Sequence, residues 1–277
     1  MSTHRFHQVD VFADQPTRGN PLAVVHDAQA LDEATMAAFA RWTNLSETTF
    51  LLPPTEPGAD YRVRIFTPGE ELPFAGHPTL GSAWAWLAAG GQPQEDGFVV
   101  QQCGIGLVRL RRSGGRLAFA APPLRRSGPA DAATLAQALR ALGITSDEVV
   151  DHHWVSNGPE WLALRLRSRA AVLALKPDVA AMGALKLGVV AVEDDGETAA
   201  EVRAFVPGVG VPEDPVTGSL NAGLALWLVG SGVLPGRYVA AQGTALGRTG
   251  RVHVERDGDT IWIGGEVAPC IAGSVEL

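Results

Sequence analysis

Cysteine is scarce in this chain of 277 residues: it has Cys103 and Cys270 and no others. Their separation matches no metal-ligand spacing. Clustered positive charge is missing too. The formal net charge is −8, and Arg111-Arg112 and Arg125-Arg126 are isolated pairs rather than a basic block. That argues against a nucleic-acid partner. There is no run of eighteen apolar residues and no N-terminal signal pattern, so the expectation is no membrane span and a cytoplasmic protein. Walker phosphate loops, His-Glu-x-x-His helices and Gly-x-Ser-x-Gly elbows are absent. Gly104-Ile105-Gly106 lacks the third glycine of a dinucleotide fingerprint, and His152-His153 has no helical i,i+4 partner pattern. No metal or cofactor is therefore expected. What remains is an ordinary globular composition, 46% hydrophobic and 19% charged.

The informative feature is an internal repeat. Residues 66–87 read Phe-Thr-Pro-Gly, a polar stretch, then Ala75-Gly76-His77-Pro78-Thr79-Leu80-Gly81 and an apolar run. Residues 205–228 read Phe-Val-Pro-Gly, a short stretch, then Thr217-Gly218-Ser219-Leu220-Asn221-Ala222-Gly223 and another apolar run. The copies lie about half a chain apart, as duplication would leave them. Each apolar run is uncharged and rich in Ala and Gly, which predicts a short helix buried on all sides. Each helix would start at a glycine followed by His77 or Ser219. A buried helix start presents unpaired N–H groups and partial positive charge, suited to a carboxylate, a phosphate or a forming enolate. Two such starts facing across one cleft would hold a small anion. The bland alternative is that Gly218 turns the chain and Ser219 caps its helix.

Along the chain, alternation predicts strands at 4–12, 20–25, 48–52 and 61–66. A meander follows over 98–102, 107–111 and 117–120. Amphipathic helices are predicted over 32–42 and over 132–142, the latter with Asp131 as N-cap and Gly143 as stop. Further strands are expected at 153–156, 161–166, 189–192 and 202–205, with a helix near 178–185. The tail from 238 to 275 reads as strands and turns, with Gly258-Asp259 as a hairpin signal. Residues 122–129 are the expected linker between two lobes, 1–121 and 130–263. A curved sheet wrapped round a buried helix, made twice, meets these burial demands.

Four ordered motifs carry a resemblance over essentially the whole chain: Gly19-Asn20-Pro21-Leu22-Ala23-Val24-Val25, Asn44-Leu45-Ser46-Glu47-Thr48, Pro73 to Gly81, and Glu213-Asp214-Pro215-Val216-Thr217-Gly218-Ser219. Together they resemble the phenazine biosynthesis PhzF-like family of the diaminopimelate epimerase superfamily. The resemblance implies an α/β (α+β) fold of two pseudo-symmetric lobes, each a barrel-like, mostly antiparallel sheet around a central helix. It implies no cofactor, a homodimer, a small carboxylate substrate, and a C-terminal strand, about 264–277, that returns to the first lobe. In the family's best-known member, trans-2,3-dihydro-3-hydroxyanthranilate is isomerised by a glutamate that moves a proton between carbons. Glu47 matches that glutamate; Gly76, His77, Asp214, Gly218 and Ser219 match the substrate-binding positions. A carboxyl can accept and return a proton if burial raises its pKa toward the operating pH. Asp214 could accept from a substrate amine or hydroxyl, or orient His77; His77 could donate to substrate or relay a proton. Neither Gly-rich turn contains cysteine, which disfavours the two-thiol chemistry of related epimerases. The competing readings are an epimerase or racemase pairing Glu47 with His77 or Asp214, and a metabolite-binding protein without catalysis.

Overall fold

The computed structural model describes residues 2–193, 196–207 and 212–277. It divides into two compact units, Met1–Ala120 together with Gly264–Leu277, and Ala121–Ile263.

The first unit contains β1 (Thr3–Val11), β2 (Asn20–Val25), α1 (Glu33–Thr43), β3 (Thr48–Leu52), β4 (Tyr61–Phe66), β5 (Glu71–Leu72), α2 (Gly76–Ala88), β6 (Phe98–Cys103), β7 (Gly106–Ser113) and β8 (Arg116–Ala120). The C-terminal strand, Val267–Glu276, pairs antiparallel with β1. The β2–β3 and β4–β6 pairs are parallel, and each needs a long crossover, supplied by α1 and α2. On one face α1 buries Met36, Phe39 and Ala40 against Val25, Phe50 and Phe66. Against the sheet strands lies α2, buried on every side through its first two turns. Gly81 makes that approach possible: a Cβ there would lie 2.5 Å from Leu22 Cδ2 and 2.9 Å from Val11 Cγ2.

The second unit repeats this order. It contains β9 (Arg126–Gly128), α3 (Ala132–Leu142), β10 (Val149–Ser156), β11 (Trp161–Leu166), α4 (Arg169–Ala174), β12 (Lys186–Val192), β13 (Ala200–Phe205), β14 (Glu213–Asp214), α5 (Gly218–Gly230), β15 (Arg237–Gln242), β16 (Gly250–Asp257) and the greater part of β17 (Thr260–Gly265). The β11–β12 and β13–β15 pairs are again parallel and bridged by helices, α4 and α5. Outside the sheet, α3 and α4 bury Ala138, Leu142 and Val172 against Leu162, Leu164 and Val189. Gly223 brings α5 close to β10, where a Cβ would meet the Val155 carbonyl oxygen at 2.3 Å.

The helix expected near 178–185 is absent. The crossover helix is α4, capped by Ser168, whose hydroxyl accepts from Ala171 N at 3.2 Å. Further on, the Asp178 carboxylate takes the N–H groups of Ala180 and Ala181, and Gly183 turns the chain at φ +60°. Only one 3₁₀ turn, Ala180–Met182, forms there. Residues 122–129, expected as a linker, include β9, which pairs antiparallel with β10. The His pair that carried no ligand pattern sits on β10, where His153 Nε2 accepts from Gly128 N and His152 Nδ1 from Ala130 N. Among the described residues no group of His, Cys, Asp and Glu is arranged to hold a metal, and no helix is long and apolar enough to cross a membrane.

The duplication extends to side chains. Arg64 on β4 donates through Nε and Nη2 to the two Glu71 oxygens, at 2.7 and 2.6 Å. Arg203 on β13 makes the same fork to Glu213, at 3.0 and 2.8 Å. Each guanidinium also lies over the aromatic ring two residues on, Phe66 at 5.0 Å and Phe205 at 4.8 Å. The two forks clamp β4 to β5 and β13 to β14, just ahead of the Gly-rich turns. One difference is burial. Arg203 and Glu213 are nearly inaccessible, and Arg203 Nη1 also serves the carbonyls of Val172 and Leu175.

Candidate active site

Glu47 is held between a helix stop and a strand start. Asn44 ends α1 in the left-handed region, φ 53°, with its N–H on the Ala40 carbonyl. The hydroxyls of Thr43 and Thr48 meet at 2.9 Å and pinch the loop closed. Four residues are thus fixed in a tight connection, and Glu47 projects from its end. Ser46 Oγ lies 3.4 Å from Asn20 Oδ1, which ties this loop to the start of β2.

The carboxyl of Glu47 is largely withdrawn from solvent, and its Oε2 has no hydrogen-bond partner among the described residues. Burial lifts its pKa from 4.5 to about 7, with the Ser46 hydroxyl pulling the other way. The nearest opposite group is His77. Its Nδ1 lies 3.6 Å from Glu47 Oε2, beyond a good hydrogen bond but within reach of a small movement. His77 is the second residue of α2 and is itself buried. Two of the expected site residues, from motifs thirty positions apart, therefore meet in the first unit.

The first turn of α2 has no side-chain cap, because Ala75 stands at the N-cap. Pro78 has no N–H, so the backbone donors of this first turn are those of Gly76 and His77.

In the second unit Asp214, Gly218 and Ser219 cluster at the start of α5. The N-cap is Thr217, and its side chain does not cap the helix. Its hydroxyl instead donates to Asp214 Oδ2 at 2.6 Å. Ser219 is not the cap either, contrary to the bland expectation: it is the second helical residue, and its hydroxyl accepts from Trp161 Nε1 at 3.0 Å. That leaves the hydroxyl proton of Ser219 for another acceptor. Asn157 Nδ2 donates to the Ser219 carbonyl at 2.9 Å and steadies the same turn. The end of α5 is thus as bare of side-chain caps as that of α2, and its N–H groups and dipole favour an anion.

Three residues of this turn escaped the sequence. Gln242 on β15 accepts from Thr217 N at 3.0 Å and from Asn221 Nδ2 at 2.7 Å. Trp161 and Asn157 flank Ser219. Trp161 and Gln242 lie on strands and Asn157 just after β10, all distant in sequence from the turn, and the parallel pairing of β13 with β15 brings Gln242 there.

Neither cysteine belongs to a turn. Burial pushes the Cys103 thiol up, away from the reactive thiolate, and Cys270 is exposed on the C-terminal strand.

The sequence profile of the phenazine biosynthesis-like protein family (PhzC-PhzF) matches residues 9–273. The chain is 35% identical over 258 residues to trans-2,3-dihydro-3-hydroxyanthranilate isomerase of Pseudomonas aeruginosa, covering 92% of this chain and 91% of that one. It is also 35% identical over 293 residues to antisense-enhancing sequence 1 of Schizosaccharomyces pombe, covering 99% of each. Among solved structures, a phenazine biosynthesis protein of the PhzF family from Enterococcus faecalis superposes with a TM-score of 0.84 at 26% identity over the full length of both chains. The chain belongs to the phenazine biosynthesis-like protein family, and the Pseudomonas aeruginosa relative named for its reaction is an isomerase.

Proposed function

We propose that the protein is a cofactor-independent isomerase that moves a proton between two carbons of a small carboxylate-bearing metabolite, with Glu47 as the only proton carrier. The observation that carries this reading is the Glu47 carboxyl, buried beside His77, with a pKa of about 7. A group half-protonated near neutrality can take a proton from carbon and return it with little penalty in either direction. His77, 3.6 Å away, would donate a hydrogen bond to the substrate as charge develops. The uncapped start of α2, through Gly76 and His77, would hold the carboxylate and stabilise the enolate next to it, and the start of α5, through Gly218 and Ser219, is suited to an anion in the same way. Asp214 would accept from a substrate amine or hydroxyl.

The alternative of a two-base epimerase needs groups on opposite faces of one carbon. Glu47 and His77 are close enough to serve the same face, which favours a one-base transfer. The isomerase of Pseudomonas aeruginosa supplies the first compound to try, trans-2,3-dihydro-3-hydroxyanthranilate.

The test is proton NMR of that compound with the protein in deuterium oxide. A shifted double bond, with part of the original hydrogen retained at the new position, is the expected result, because one buried carboxyl returns some of what it takes. Full solvent deuterium with unchanged connectivity would mark an epimerase. Binding without any exchange would mark a carrier and overturn the proposal.

A further inference from the structure

The second turn contains a hydrogen-bond chain with only one possible direction. Thr217 N can only donate, so the atom it meets on Gln242, 3.0 Å away, is the carbonyl oxygen Oε1. Asn221 Nδ2 donates to the same oxygen at 2.7 Å. The other end of the Gln242 amide is therefore Nε2, and it donates to Thr217 Oγ1 at 2.9 Å and to the Asp214 carbonyl at 3.1 Å. Thr217 Oγ1, already accepting, spends its own proton on Asp214 Oδ2 at 2.6 Å. Gln242 is wholly buried and Asn221 nearly so. An amide in this place thus decides which way a hydroxyl points on a distant carboxylate.

The fold itself does not require this amide. Gly104 and Gly243 occupy matching places after β6 and β15: a Cβ on the first would meet the Pro73 backbone at 2.7 Å, and one on the second the Pro215 carbonyl at 2.8 Å. The residue before the glycine is Gln242 in one unit and Cys103 in the other. In the first unit the helix start is tied from elsewhere, by Gln101 Nε2 on Thr79 Oγ1 at 3.0 Å. The directed chain exists only where the turn carries Asp214.

We propose that Gln242 is a positioning residue: by fixing the direction of the Gln242–Thr217–Asp214 chain it holds the Asp214 carboxylate in the orientation that receives the substrate. The catalytic consequence rests on the isomerase reading above; the directed chain does not.

Gln242→Glu separates this role from simple packing. The new side chain keeps the shape and the Oε1 acceptor. When ionised it cannot donate, so the Thr217 hydroxyl would turn to it and leave Asp214. When protonated it can donate again and the chain is restored. The ratio of kcat/KM for Gln242→Glu to that of wild type, on trans-2,3-dihydro-3-hydroxyanthranilate, is expected to climb toward one as pH falls from 8 to 5.5. Thr217→Val is expected to lose about tenfold in kcat/KM at every pH, the size of one well-made hydrogen bond. A ratio flat with pH, or a fully active Thr217→Val, would overturn the proposal. If wild type does not turn this compound over, the isomerase reading of that substrate fails and the chain is judged by NMR of wild type alone. Slowly exchanging, dispersed side-chain amide signals for Gln242 and Asn221 would support it. A rapidly exchanging Gln242 amide would overturn it, whatever the substrate.

Discussion

The Glu47 carboxyl is largely withdrawn from water, and no cation among the described residues is hydrogen-bonded to its Oε2. Between its ordinary value of 4.5 and its folded value of about 7, the folded chain holds a proton that the unfolded chain has released. Stability therefore falls as pH rises through that window and is fully retained below it. Glu47→Gln removes the effect. The variant should match wild type near pH 4 and exceed it above pH 7, by about 3 kcal/mol at most. Urea titrations at both pH values check this; equal stability at pH 8 would mean the carboxyl ionises freely. The same ionisation sets activity: kcat/KM should rise with pH through about 7, because only the carboxylate can take the first proton. By contrast, Cys103→Ala and Cys270→Ala should leave turnover intact, and a folded but inactive pair would return attention to thiol chemistry. At this scale the sequence was partly legible. Glu47, His77 and Asp214 stand in motifs that can be read in one dimension. Gln242 stands in none, because its contacts are made across parallel strands by a crossover that no local pattern encodes.

The elements tell a similar story. The two buried helices were legible because a charge-free run of Ala, Gly and Leu has few other uses, and Gly81 and Gly223 occur at the same place in both. Asp131 and Gly143 bounded α3 correctly, since a cap and a stop are local signals. The crossover helix α4 was missed because six residues give too short a period to detect, while 178–185 offered helix formers that Asp178 and Gly183 divert into a 3₁₀ turn. The repeated Arg–Glu fork yields a graded prediction. Arg203→Met leaves Glu213 buried without its partner and should cost about 3 to 5 kcal/mol. Arg64→Met breaks the fork to Glu71 and a further ion pair to Glu33 at 2.8 Å, both carboxylates reaching solvent, and should cost about 1 kcal/mol or less. Denaturant midpoints distinguish the two, and equal losses would contradict the burial argument.

At the scale of the whole molecule, half-length duplication explains why one order of strands and helices occurs twice, β1 to β7 and β10 to β16. It does not explain why the last strand belongs with the first unit, and no repeat or period reveals that. Val267–Glu276 covers β1 along its full length, and Val275 and Leu277 join the core under α1. Removing residues 267–277 should expose the β1 amides that face this strand and abolish their protection in hydrogen exchange, while those paired with β2 keep theirs; retained protection of the first set would mean the strand is dispensable. The central claim, proton transfer by Glu47, is tested most directly by one comparison. Wild type and Glu47→Gln are incubated side by side with trans-2,3-dihydro-3-hydroxyanthranilate in deuterium oxide, and carbon-bound deuterium is followed by NMR together with binding. The account predicts isomerisation with deuterium uptake by wild type, and undiminished binding without either by the variant. Equal uptake by both proteins would contradict it.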